Sequence, residues 1–163
     1  MHTPHPLNYS LKSPSYQSKL TSKFGIYIGI SCLVISLFLP ALFSSTGTID
    51  GFWVLATGWL GLLFSHFSWF ANPLNAIAIL SMDKRPVYAY FLSILAFVLA
   101  TQTFWLREIP SDIYQGRIYI KELGLGFYIW YLGQFIILIS IAIRMFRKGG
   151  RKQTTSLVDG LEN

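Results

Sequence analysis

Four long stretches of this chain, residues 24–43, 52–82, 87–106 and 123–145, carry no lysine, arginine, aspartate or glutamate until Arg144. A helix rises about 1.5 Å per residue and a bilayer core is about 30 Å thick, so about 20 apolar residues are needed to cross it. Every one of the four reaches that length. Of the 163 residues 53% are hydrophobic and 12% charged, and the mean hydropathy is +0.48, a composition far more apolar than that of a soluble domain. The expected fold is an all-α membrane protein, an antiparallel four-helix transmembrane bundle over residues 23–146. Residues 1–22 are expected as a flexible arm, and residues 147–163 as a flexible basic tail.

Charge orients the bundle. Lys12, Lys19, Lys23, Lys84, Arg85, Arg144, Arg147, Lys148, Arg151 and Lys152 flank one side and make up ten of the thirteen basic residues. The other connections place Arg107, Arg117 and Lys121 among Asp50, Glu108, Asp112 and Glu122. Positive charge marks the cytoplasmic face, so both termini are expected inside. The net charge of +6 is a topology signal, and nucleic acid is not implied as a partner. The first apolar run is longer than the core of a secretory signal, which is about 7 to 15 residues, so it is taken as a span. A single cysteine, Cys32, excludes an internal disulfide and a two-thiol redox cycle.

Small residues recur along each span at helical spacing. Span two carries Gly58, Gly61, Ser65, Ser68, Asn72 and Asn75 in alternating steps of three and four, which one continuous helix would place on one face. Span one carries Gly25, Gly29, Cys32 and Ser36; span three Ala89, Ser93, Ala96, Ala100 and Thr103; span four Gly126, Trp130, Gly133, Ile137 and Ser140. Such faces let helices approach closely in lipid and are expected to be the seams of the bundle. Pro73 lacks the N–H that would bond the Trp69 carbonyl and is expected to kink span two beside Asn72.

The polar side chains can be aligned by depth. Counted from the basic side, Asn72 and Gln134 both fall about 15 Å in, and His66 and Gln102 about 24 Å in. Asn72 is therefore expected to pair with Gln134, and His66 with Gln102 or Thr101. The candidate binding residues are His66, Asn72, Asn75, Gln102 and Gln134. No span contains a carboxylate, a second histidine or a pair of thiols, so catalytic, metal and cofactor sites are not expected. Proton-coupled export of the kind that uses a buried glutamate is also disfavoured.

Trp69-Phe70-Ala71-Asn72-Pro73-Leu74, after Gly58-Trp59-Leu60-Gly61, and Gly124-Leu125-Gly126-Phe127-Tyr128-Ile129-Trp130 together resemble a group of small uncharacterised bacterial four-span membrane proteins. The resemblance covers about residues 25–145 and implies a bacterial inner-membrane location with no assigned activity. The expected function is that of a non-enzymatic accessory or scaffold subunit that associates with itself or with a larger membrane protein. The alternative is a small-solute or lipid binding or transport component that uses the polar face of span two.

Overall fold

The structure, a computed structural model, describes residues 14–111 and 116–159. It is mostly helical. Helix α1 (Pro14–Ser36) leads into strands β1 (Pro40–Ser44) and β2 (Gly47–Asp50), then the short helix α2 (Gly51–Thr57), which continues as a 3-10 helix over Gly58–Phe64. A second 3-10 turn, Ser68–Phe70, opens helix α3 (Ala71–Ser81). Helix α4 (Pro86–Thr101) ends in a 3-10 turn, Gln102–Trp105, followed by strands β3 (Glu108–Ser111) and β4 (Gly116–Leu123) and the long helix α5 (Leu125–Asp159).

Among the described residues, two helices are long and apolar enough to cross a membrane, Pro86–Trp105 and Leu125–Arg147. Lys23–Ser36 and Gly51–Leu62 are shorter apolar helices. The expectation of four continuous spans is corrected here. The first stretch stops at Ser36 because Pro40 cannot continue the helix and disfavours helical backbone just before it; Pro40 opens β1 instead. The second is not one helix at all, since Ser65 adopts a left-handed conformation (φ 61°) between the two 3-10 segments. Gly58, Gly61, Ser65, Ser68, Asn72 and Asn75 therefore do not share one face. Pro73 does not kink a helix either: it lies in the first turn of α3, where the missing N–H has no intrahelical acceptor to lose.

The connections at the end away from the basic turn form a sheet. Four antiparallel strands run in the order β2-β1-β4-β3, with Leu42 opposite Leu123 and Ile109 opposite Ile118. The alternation of Arg117-Ile118-Tyr119-Ile120-Lys121 is the signature of β4. At the ends of the chain, residues 14–22 of the expected arm and 147–159 of the expected tail are helical in backbone, extending α1 and α5. Residues 1–13 and 160–163 lie outside the described residues.

Helix packing runs α1 to α5, α5 to α4 and α4 to α3, whereas α1 and α3 are not a packed pair. The small-residue faces of spans one, three and four form these seams. A side chain on Gly29 would meet Ile137 Cγ1 at 2.6 Å and the Gly133 carbonyl at 3.1 Å, and one on Gly133 would meet the Gly29 carbonyl at 2.9 Å. Backbone therefore lies against backbone between α1 and α5. Gly25 faces Ser140 in the same seam. Along α4, Ala89, Ser93, Ala96 and Ala100 are fully buried, against Ala71 and Ala78 of α3. Gly124 and Gly126 let β1 cross the start of α5, with a Cβ on Gly126 2.7 Å from the Leu39 carbonyl.

The opposite faces are apolar and open. Phe38 is 81% and Leu80 82% exposed, and Phe91, Leu95 and Val98 of α4 are exposed as well. The basic end is closed by an ion pair from Arg144 to Asp83 of the α3–α4 turn. Gly29→Val should lower thermal stability by about 1 to 3 kcal/mol, since the added methyls overpack the α1–α5 seam. Val98→Ala, on the open face of α4, should shift it far less; thermal unfolding of the detergent-solubilised protein distinguishes them.

Candidate functional site

The break in the second stretch leaves backbone groups that no helix satisfies. Side chains and nearby carbonyls supply their partners. Gln102, at the end of α4, supplies one: its Oε1 accepts the Phe67 N–H at 3.0 Å. Locally the His66 N–H donates to the Gly61 carbonyl at 2.9 Å, and the Trp69 indole N–H donates to the Leu55 carbonyl at 2.8 Å. Gly58 and Gly61 are small because this turn folds tightly: a Cβ on Gly58 would meet Trp69 Cδ1 at 2.7 Å, and one on Gly61 the His66 carbonyl at 2.9 Å. Neither packs one spanning helix on another. Depth alignment brought Gln102 to the level of His66, but it bonds the neighbouring backbone amide, not the imidazole. Thr101 bonds the Phe97 carbonyl instead.

One turn below, three carboxamides and an indole join α3 to α5. The Trp130 indole N–H donates to Asn72 Oδ1 at 2.8 Å, and Gln134 Nε2 donates to the same oxygen at 3.1 Å. Asn75 Nδ2 donates in turn to Gln134 Oε1. An indole nitrogen can only donate, so it fixes the amide orientation of Asn72; that orients Gln134, which orients Asn75. Gln134 and Asn75 are fully buried, at 0% and 1% exposure, and Asn75 Oδ1 has no hydrogen-bond partner among the described residues. The pairing of Asn72 with Gln134 expected from depth is thus present as a hydrogen bond. Trp130 was missed as its third member, because its indole reaches Asn72 from a position one helical turn away on α5.

Above this network lies a cavity of about 560 Å³, within the range of about 300 to 1,000 Å³ typical of small-molecule sites. It occupies the gap that the unpacked pair α1 and α3 leave, beneath α2 and its 3-10 extension. Ile30, Leu33 and Val34 of α1, with Leu37 just after it, form one wall, and Val54, Leu55 and Leu60 form the roof. His66, Ser68, Asn72, Thr103 and Glu108 bring polar groups to it, with Phe127 and Trp130 at the back. Of the residues expected at a binding site, His66 and Asn72 line this cavity; Gln102 braces the break, and Asn75 and Gln134 brace Asn72 from behind. Ser65 is exposed, outside it. Among the described residues, no group of three or more His, Cys, Asp or Glu is placed to hold a metal ion.

Compared with family models, with curated proteins and with solved structures, the chain finds no match in any of the three.

The network makes a double-mutant prediction. Gln134→Leu should destabilise the protein by about 1 to 3 kcal/mol, because it strands the Asn75 amide in the core. Adding Asn75→Leu should recover much of that loss, since replacing both partners of a buried hydrogen bond by apolar groups is close to neutral. Separately, Gln102→Leu should leave the Phe67 N–H without its acceptor, read as faster hydrogen exchange at that amide.

Proposed function

We propose that the protein crosses the membrane four times and binds a lipid-like molecule in the cavity between α1 and α3, without catalysing a reaction. Support for the membrane reading comes from surface and length. Only 22% of the window in Pro86–Trp105 and 39% of that in Leu125–Arg147 is buried, whereas a soluble protein's core helix is mostly buried. From Leu125 to Arg144, α5 runs about 28 Å, close to the thickness of a bilayer core. Charged groups gather at its two ends, with Lys23, Asp83, Lys84, Arg85 and Arg147 exposed at one and Asp50, Arg107, Lys121 and Glu122 at the other. By the positive-inside rule the first end is cytoplasmic and holds both termini. The resemblance to small bacterial membrane proteins favours the inner membrane.

Under this reading α4 and α5 are the continuous passes, and the apolar part of α1, Lys23–Ser36, is a shorter one. The other pass is α3 with its 3-10 turn; α3 alone is about 16 Å long and cannot cross by itself. Irregular backbone at membrane depth is tolerated where it lines a cavity or is buried in protein, and the break at Ser65 to Phe67 borders this cavity.

The observation that carries the binding reading is the 560 Å³ space itself, apolar on its helix walls, with a few polar groups at its floor and rim. Its setting between two unpacked helices gives lipid a lateral route in. A scaffold role drew on the small-residue faces for association with a second copy or a larger partner. Those faces are occupied within the chain by the α1–α5 and α3–α4 seams, so the binding reading is preferred.

Val54→Trp places an indole in the roof of the cavity. Native mass spectrometry of the protein released from mild detergent should show bound lipid on the unaltered chain and at least about a tenfold loss on Val54→Trp at equal thermal stability. Equal lipid retention by the two proteins would reject the reading.

A further inference from the structure

We propose that the cavity selects an apolar ligand bearing a carbonyl oxygen, which accepts a hydrogen bond from Asn72 Nδ2; this rests on the lipid-binding reading above. The argument starts at Trp130. Its donor-only N–H, with Gln134 Nε2, holds Asn72 Oδ1 against α5, so the amide nitrogen of Asn72 must point the other way. Asn72 is half-buried and lines the cavity, and among the described residues nothing accepts from its Nδ2. Ser68, one turn earlier on the same helical segment, also lines the cavity, and its hydroxyl has no partner among the described residues. Two groups able to donate thus lie one turn apart on the same side of the cavity, beside His66.

Donors at this cavity define the ligand's chemistry. They favour an oxygen acceptor attached to a hydrocarbon body, and they leave a pure hydrocarbon with two polar groups to desolvate and no return for it. A neutral carbonyl fits best, because a phosphate or carboxylate would bring a second acidic group to a cavity that Glu108 already lines. Carbonyls of this kind occur on the ester linkages of glycerolipids and on the rings of lipid-soluble quinones. The aromatic surfaces of Trp69, Phe127 and Trp130 that border the cavity suit either a flat ring or a chain.

The test compares a diacyl phosphatidylglycerol with its dialkyl ether analogue of equal chain length, and both with a short-tailed benzoquinone. Retention is measured by native mass spectrometry on the full chain and on Asn72→Leu and Val54→Trp. The unaltered protein should retain the ester lipid about fivefold or more over the ether, as loss of one hydrogen bond implies, and Asn72→Leu should erase the difference. Displacement of the ester lipid by the quinone would assign the site to the ring carbonyl, and failure to displace it to the glycerolipid. Equal retention of ester and ether, with both lost in Val54→Trp, would overturn the carbonyl inference and leave the cavity reading standing. An ester preference that persists in Asn72→Leu would also overturn it. Lipid retention unchanged in Val54→Trp would remove both. Should Asn72→Leu not fold, the ester-to-ether ratio on the unaltered chain and on Ser68→Ala decides.

Discussion

The hydrogen bond from the Trp130 indole to Asn72 is the contact on which the rest of this architecture turns. An indole nitrogen cannot accept, so a single donor sets the direction of the whole chain of carboxamides from Asn72 through Gln134 to Asn75. That chain ties the start of α3 to the middle of α5, although α3 and α5 share few other contacts. Without it the short helix α3 would be held mainly by its seam with α4. The direction also has a cost, since Asn75 Oδ1 ends the chain buried and without a partner among the described residues. An apolar pair at 75 and 134 would avoid that cost but would give up one of the two donors that hold Asn72 in place.

The break above α3 and the cavity are two aspects of one arrangement. Because the chain turns at Ser65, the segment from Gly51 to Phe64 lies as a roof over the gap between α1 and α3 and does not fill that gap as a spanning helix. Gln102 stabilises the turn from α4 by accepting the Phe67 N–H. The glycines at 58 and 61 allow the roof to fold onto Trp69 and His66. Phe97, Tyr131, Phe104 and Phe127 meanwhile pack ring against ring, with centroids 4.9 to 5.1 Å apart along that series, and fix α4 to α5 behind the cavity. On the membrane reading proposed above, the irregular backbone at the break is tolerated because it lines the cavity and finds its partners within the protein.

Much of this was legible in the residues, for local reasons. The continuous apolar runs of α4 and α5 are long enough to cross a bilayer core, and the small-residue periodicity of Gly25-Gly29 and of Ala89 to Ala100 marks the seams that form. Depth counting brought Asn72 beside Gln134, because both helices rise at the same rate. The break escaped for the opposite reason. Gly58, Gly61, Ser65 and Ser68 keep helical spacing, and the acceptor that makes the turn affordable, Gln102, comes from 35 residues away. In the sheet, the alternation of Arg117 to Lys121 suits the strand it forms, whereas β1 was obscured by its own apolarity: Pro40-Ala41-Leu42-Phe43 reads as the end of a span when only hydropathy is counted, while Pro40 itself is the signal that the helix has stopped. The cavity could not be read at all, since it exists where two helices fail to pack.

The central claim is that a lipid-like molecule fills that gap and reaches Asn72. Solid-state NMR on the protein in bilayers, with ¹⁵N in its asparagine side chains, tests it most directly. Asn72 is one of four asparagines, at 8, 72, 75 and 163, so its Nδ2 signal is assigned by comparison with Asn72→Leu. The account predicts magnetisation transfer from lipid to the Asn72 side-chain amide and none to that of the enclosed Asn75. Transfer to Asn72 from water alone, or direct contacts between α1 and α3 across a closed gap, would contradict it.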